Sequence, residues 1–352
     1  MKKLFCLLLA LLMVFSLAAC SGNKDEGKEG GETPVEPTDD NAKYSGTVML
    51  YTSAGEDAAQ HLKEAFEKKY PNVTLDFYAA TSGKCNTKLA TEFEAGNVSC
   101  DVVWLAEPSG LIDFKNQDRL LQYKSPYADA VADQFKDPDG YYTGARILIM
   151  GLAYSQATCP EDQVPKNFDG LLDPNFTGQI IMADPNASGS SKAFVYGLTH
   201  SEKYGWEYFE KLAEQKMEFD TSANAVNQKI AGGEYKIGIS PEHTTLNSVS
   251  QGSPIGYQAT TDVLAIACPI AIPKGCPNEE LAKLLYDFIL DPEGGQKALP
   301  TFNITPIVDG VELPAGMKTA KEITENALPI DWVDLANTGT EMLARFNKLF
   351  NK

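Results

Sequence analysis

From residue 46 onward the apolar positions switch between two periods. Residues 47–51 form a nearly continuous apolar run, and Val73, Leu75 and Phe77 alternate with polar neighbours, as strands do. Between them Ala58, Leu62, Ala65 and Phe66 recur at helical spacing up to Tyr70, where Pro71-Asn72 stops the pattern. Leu89, Ala90 and Phe93 mark a second helix ended by Gly96-Asn97, and residues 101–105 read as a third strand. Strand, helix, strand, helix, strand with short connections predicts a parallel sheet with right-handed crossovers.

A turn-rich stretch, 137–144, precedes a long apolar strand at 147–154, which reads as the crossing into a second lobe. That lobe holds a strand at 179–183, a helical run at 192–198, an aromatic helix (Tyr204, Tyr208, Phe209, Leu212) and the segment 226–230 before Gly232-Gly233. A strand at 236–240 follows, and the strand at 265–273 reads as the return crossing. Leu281, Leu284, Leu285, Phe288 and Ile289 form a helical stripe stopped by Asp291-Pro292, and a helix at 341–350 ends the chain.

Three loops share one character. Thr52-Ser53-Ala54-Gly55, Ala80-Thr81-Ser82-Gly83 and residues 184–191 each follow a strand-like run and lead into a helix-like one. A helix start leaves backbone N–H groups unpaired, and with the positive end of the helix dipole and nearby hydroxyls they make an anion site. One such loop is ordinarily a plain helix cap; three at the carboxyl ends of strands, where α/β sheets bind ligands, point to a crevice. The candidates are Ser53, Thr81, Ser82, Ser188, Gly189, Ser190 and Ser191. Arg146, Lys84 and His243 are the candidate sources of positive charge, although a solvated place is the ordinary expectation for each. Tyr51 and Trp104 are candidate walls for an organic body, with the core the commoner home for Trp104.

The first residues change the picture. Lys2-Lys3 is a basic start, and residues 4–15 are an apolar stretch too short for a good membrane span. Leu17-Ala18-Ala19-Cys20 looks like a bacterial lipobox, in which cleavage leaves Cys20 acylated at the new N-terminus. The Gly-, Glu-, Asp-, Thr- and Pro-rich segment that follows buries almost nothing and reads as a disordered spacer.

The 352 residues are too many for one ordinary core, and the formal net charge of −18 argues against nucleic acid and anionic lipid surfaces as partners. Cys85, Cys100, Cys159, Cys268 and Cys276 remain after the leader and Cys20, an odd number in an oxidising compartment, so at least one is expected free or paired between chains. Three histidines and no C-x-x-C exclude a histidine-rich metal cage and give no zinc motif; no metal or cofactor is expected. The chain lacks G-x-S-x-G, H-E-x-x-H and a complete P-loop, and no enzyme is expected.

Several segments together resemble one family: the lipobox, the acidic linker, Tyr51-Thr52-Ser53, Asp101-Val102-Val103-Trp104, residues 171–178, Ala183-Asp184-Pro185, residues 269–275, residues 287–294 and residues 303–307. They are similar to the type 2 extracellular solute-binding proteins of ABC importers, in the branch of ferric-iron, aminoethylphosphonate and sugar-phosphate binders. The resemblance runs from about Gly46 to the C-terminus. It implies an α/β fold of two lobes, each a mixed sheet flanked by helices, joined by a hinge and closing on a small solute delivered to permease subunits. The expected bounds are a signal peptide over 1–19, the lipidated Cys20 and linker over 20–45, a first lobe over 46–147, a second over 148–265, and the return crossing with the rest of the first lobe over 266–352. The protein is expected as a monomer, lipid-anchored at the membrane and facing outward or into the periplasm.

Ferric binders of this branch supply adjacent tyrosines after the strand that here ends at Ser240. This chain has Pro241-Glu242-His243-Thr244 there, and Glu107 with Glu242 is a thin set for hard Fe³⁺. Tyr141-Tyr142 lies in a turn where aromatic packing is the expected role. The hydroxyl-rich loops favour an anionic organic solute, a phosphonate or phosphate ester. Ferric iron, or a polyamine held by Glu107, Glu242 and Asp262, remain the alternatives.

Overall fold

The computed structural model describes Asn41 and residues 43–352; the leader, Cys20 and most of the linker lie outside the described residues. The first lobe opens with β1 (Gly46–Thr52), α1 (Glu56–Lys69), β2 (Val73–Ala79), α2 (Ser82–Ala95), β3 (Val102–Trp104) and α3 (Ser109–Asn116). Both β2 and β3 pair with β1 in parallel. Helix α1 carries Glu56 and Asp57 in its first turn and Lys68 and Lys69 in its last, matching its dipole at both ends. Helix α2 stops at Gly96, whose φ of 66° lets the backbone turn left-handed and return its N–H to Glu92 and Phe93.

The chain then crosses in β4 (Thr143–Ser155), thirteen residues of which all but Ile149 are buried, so both faces are covered. The second lobe contains β5 (Ile180–Ala183), α4 (Gly189–Thr199), α5 (Gly205–Glu214), β6 (Glu218–Asp220), α6 (Ala223–Ala231), β7 (Ile237–Pro241), α7 (Glu242–Ser250) and β8 (Ile255–Gln258). The return is β9 (Leu264–Ala271), followed by α8 (Glu279–Leu290), α9 (Gly295–Ala298), β10 (Thr305–Pro306), α10 (Ala320–Thr324) and α11 (Trp332–Leu349).

The strands run in the order β2-β1-β3-β9-β4-β7-β5-β6, with β8 and β10 also on β4. The crossing strands β4 and β9 lie side by side, antiparallel, from Thr143 opposite Ile270 to Met150 opposite Leu264. From Met150 onward β4 pairs instead with β7. One strand thus serves the sheet of each lobe in turn, and with β9 it forms the hinge of this two-lobe α/β fold.

One boundary differs from the sequence reading. Helix α4 begins at Gly189, three residues earlier than the apolar run suggests, because the Ser188 hydroxyl caps the Ser191 N–H at 3.3 Å. Helix α11 packs on α3 of the first lobe and also lays Phe346 against Phe209 and Phe219 of the second, with ring centroids 5.9 and 5.5 Å away. Tyr196 on α4 also donates to Asp334 on α11 at 2.7 Å.

Candidate functional site

The loops at the carboxyl ends of β1 and β2 form the first-lobe wall of a cleft. Ser53 follows β1, and Thr81 is the cap residue of α2 yet makes no capping bond. The Ser53 and Thr81 hydroxyl oxygens are both buried without a partner. Such atoms are uncommon in a folded interior and call for a ligand, water or ion. The Ser82 hydroxyl accepts the Ala106 N–H at 3.3 Å, which leaves its own proton free to donate.

The opposite wall comes from three helix starts of the second lobe. Ser188, Gly189 and Ser190 open α4, with the Ser188 and Ser190 hydroxyls 3.1 Å apart. Thr221, Ser222, Ala223 and Asn224 lead into α6, where Ser222 caps Ala225. Pro241, His243 and Thr244 open α7 directly after β7, with no capping side chain to occupy its first N–H groups. These residues enclose a cavity of about 410 Å³. A second cavity of about 500 Å³ adjoins it through Gly55, Glu56, Asn224, His243 and Thr244 and is lined by amides (Asn227, Gln228, Asn247, Gln251), the Phe302 ring and Asp57.

The two walls meet. The Gly83 N–H donates to the Ala187 carbonyl at 3.0 Å, and Lys192 on α4 donates to the Ser109 hydroxyl at 2.7 Å.

Beneath the cavity lies Arg146 of β4, 1% exposed. Its Nη1 is 3.1 Å from Nε2 of His243, and its carbon Cζ stands 5.4 Å over the Trp104 ring. Burial first, and the neighbouring guanidinium second, hold His243 well below the usual imidazole range, so the ring is neutral. Lys84 and Glu56 are the charged residues in the cavity lining.

Of the residues singled out in the sequence, eight line this one cavity: Ser53, Thr81, Ser82, Lys84, Ser188, Gly189, Ser190 and His243. Ser191 is buried behind it, its N–H turned to Ser188. Glu107 is buried with both oxygens occupied by Ser109, accepting its N–H at 2.6 Å and its hydroxyl at 2.9 Å. Glu242 stands outside the lining, and burial pushes its carboxyl pKa up. Arg146 is buried where a solvated place was expected. Tyr51 is no wall: it is 2% exposed, and its hydroxyl donates to Glu92 at 2.6 Å. Trp104 lies in the core as expected, donating to the Cys268 carbonyl at 3.3 Å. Tyr141 and Tyr142 pack against the cluster around Tyr51 and Leu89. All five described cysteines are free.

The premise of three equivalent helix starts also needs correction. The start of α1 already carries Glu56 and Asp57, whose carboxylates answer its dipole. At α2 the Gly83 N–H is taken by Ala187. The starts of α6 and α7, which the sequence reading left out, supply Thr221 to Asn224 and Thr244 instead. Residues 220–224, Asp-Thr-Ser-Ala-Asn, carry the same hydroxyl-before-helix signal. It went unread because the strand before it, β6, has only three residues. Among the described residues, no three or more His, Cys, Asp and Glu side chains gather as a metal would need.

Residues 61–325 match the family described as bacterial extracellular solute-binding protein. The chain belongs to this family. An uncharacterised protein of Haemophilus influenzae is 26% identical over 271 residues, 73% of this chain and 76% of that one. Among solved structures, the periplasmic binding protein AfuA from Actinobacillus pleuropneumoniae, with fructose-6-phosphate bound, superposes with a TM-score of 0.75 at 22% identity, covering 87% of this chain and 98% of that one. Iron-bound HitA from Pseudomonas aeruginosa gives 0.72 at 18% identity, covering 85% and 99%. The protein is therefore a solute-binding protein of the type that serves ABC importers, which capture small solutes and meet permease subunits. Among the described residues no helix is long and apolar enough to cross a membrane.

Proposed function

We propose that this solute-binding protein captures an anionic organic solute, a phosphate or phosphonate ester, and holds its anionic end in the 410 Å³ cavity. The observation that carries this reading is the convergence of unspent donors. The Ser53 and Thr81 hydroxyls have no partner, Ser82 keeps a free proton, and the uncapped start of α7 faces them across the cleft. Hydrogen bonds to a charged acceptor are worth about 1.5–3 kcal/mol each, so three or four of them reach the roughly 8 kcal/mol of micromolar binding. The solute's uncharged body occupies the adjoining cavity, where amide side chains and the Phe302 ring suit hydroxyl groups and a carbon skeleton. Glu107, one of the carboxylates named for an iron or polyamine site, has both oxygens occupied by Ser109. Cys20 tethers the mature monomer to the outer face of the membrane, and the lobes close about β4 and β9.

Calorimetric titration with fructose 6-phosphate and with fructose separates the two ends of such a solute. Binding of the phosphate ester at least about a hundredfold tighter than the free sugar, the worth of two charged hydrogen bonds, supports the reading. Equal affinity for both, or heat only with spermidine or ferric citrate, refutes it.

A further inference from the structure

Arg146 is 1% exposed, its Nε has no partner, and no carboxylate of a described residue comes within ion-pair distance of it. Its one strong polar contact is Nη1 to Nε2 of His243, 3.1 Å away. A guanidinium has donors and no acceptor, so the imidazole nitrogen facing it carries the lone pair, toward which the Thr244 hydroxyl 3.3 Å away also turns its proton, and the ring proton sits on Nδ1. Nδ1 hydrogen-bonds to no described residue, and His243 lines both cavities of the cleft.

We propose that Arg146 is a positioning residue that locks His243 in its Nδ1–H form, so that the ring offers the solute a donor and never a lone pair. The inference rests on the reading of the cavity as an anion site and adds the device that makes it selective. Left alone, a neutral imidazole presents either a donor or an acceptor and tolerates a solute hydroxyl, an ammonium or an anion oxygen alike. Locked by Arg146, it donates to the oxygen of an ionised group and meets an ammonium with a hydrogen. The guanidinium charge, with no described carboxylate within ion-pair distance, lies one hydrogen bond behind the ring. Buried charges are ordinarily paired, and here the counter-charge arrives with the solute.

Histidine-¹⁵N spectra of the processed chain read the ring without any solute. In the wild type at neutral pH, Nε2 of His243 should carry the lone pair and Nδ1 the proton, and Arg146→Met should release the ring to the Nε2–H form or a mixture. A wild-type ring protonated on Nε2 overturns the proposal. Inorganic phosphate, titrated by calorimetry, reads the consequence. Arg146→Met and His243→Gln should each weaken phosphate roughly tenfold, the loss of one charge-assisted bond. His243→Asn, whose amide nitrogen stands near the place of Nδ1, should stay within about threefold, and adding Arg146→Met to it should cost less than in the wild type. An equal loss in both backgrounds overturns the route through His243. Arg146→Lys keeps a donor and should hold the Nδ1–H spectrum, which covers a failure of the Met variant to fold. Phosphate that does not bind a wild type with the expected ring overturns the anion reading alone; phosphate that binds a wild type carrying Nε2–H overturns this proposal alone.

Discussion

The backbone N–H of Gly83 donates to the carbonyl of Ala187 at 3.0 Å, fastening the start of α2 in one lobe to the loop before α4 in the other. Close by, a Cβ on Gly189 would stand 2.8 Å from the Ser82 hydroxyl and 3.0 Å from its Cβ. Gly189 is therefore needed for the walls to meet, and not only for a solute to approach. Gly189→Val should leave the lobes folded, with a melting temperature near the wild type's, and keep the cleft from closing. Small-angle scattering should show the radius of gyration falling with a saturating organic phosphate in the wild type and staying unchanged in the variant. A variant that still contracts would show that the contact does not govern closure.

The Thr81 hydroxyl is buried, unpaired and unused as a helix cap. Thr81→Val keeps the shape and removes a polar atom that the empty protein does not satisfy. The empty variant should melt at the wild-type temperature or above it, since an unsatisfied buried polar atom costs about 1–3 kcal/mol. Affinity for the organic phosphate should fall roughly tenfold, the worth of one hydrogen bond to a charged oxygen. Lower stability with unchanged affinity would assign the hydroxyl to the fold.

The first three strands and the two crossings were legible because each is a continuous or alternating apolar run bounded by Pro, Gly or Asn, and period alone identifies them. The walls were legible in part. Ser53, Thr81 and Ser188 to Ser190 announce themselves as hydroxyls between a strand and a helix, and they do line the cavity. Three features were not readable along the chain because they depend on contacts distant in sequence. Arg146 looks like a surface residue until β4 is seen covered on both faces. Glu107 looks like a ligand until Ser109 takes both its oxygens. Tyr51 stands next to last in β1 beside the cleft, yet its hydroxyl turns away to Glu92.

His243 gives the protein a pH signature. Burial and then Arg146 on β4 hold its pKa well below 6.5 in the folded state, whereas the unfolded ring takes a proton near 6.5. The unfolded state then binds more protons, so stability is fully present above that value and falls as the pH drops below it, by up to about 1.4 kcal/mol per pH unit. Glu242, next in the chain, acts in the opposite sense at lower pH, because burial raises its carboxyl above the ordinary 4.5 and favours the protonated native form. Urea unfolding between about pH 6.5 and 5.5 should show the slope, and His243→Gln, which offers Arg146 an acceptor without titrating, should reduce it. An identical slope in the variant would place the proton uptake elsewhere.

Cys20 lies outside the described residues, and its role is testable in cells. Cys20→Ala should leave the protein unprocessed or release it from the membrane fraction, while wild type stays membrane-bound and takes up labelled palmitate. A variant processed and retained as wild type is would remove the lipid anchor from the account.

Closure of the cleft on an organic anion is tested most directly by thermal unfolding of the mature chain against a panel of solutes. A solute bound at about a hundred times its Kd adds roughly 2.7 kcal/mol to stability, a shift of several degrees. Phosphate esters or phosphonates should raise the melting temperature at millimolar concentration, with spermidine and ferric citrate leaving it in place. A rise confined to spermidine or to ferric citrate, with every phosphate ester and phosphonate silent, would contradict it.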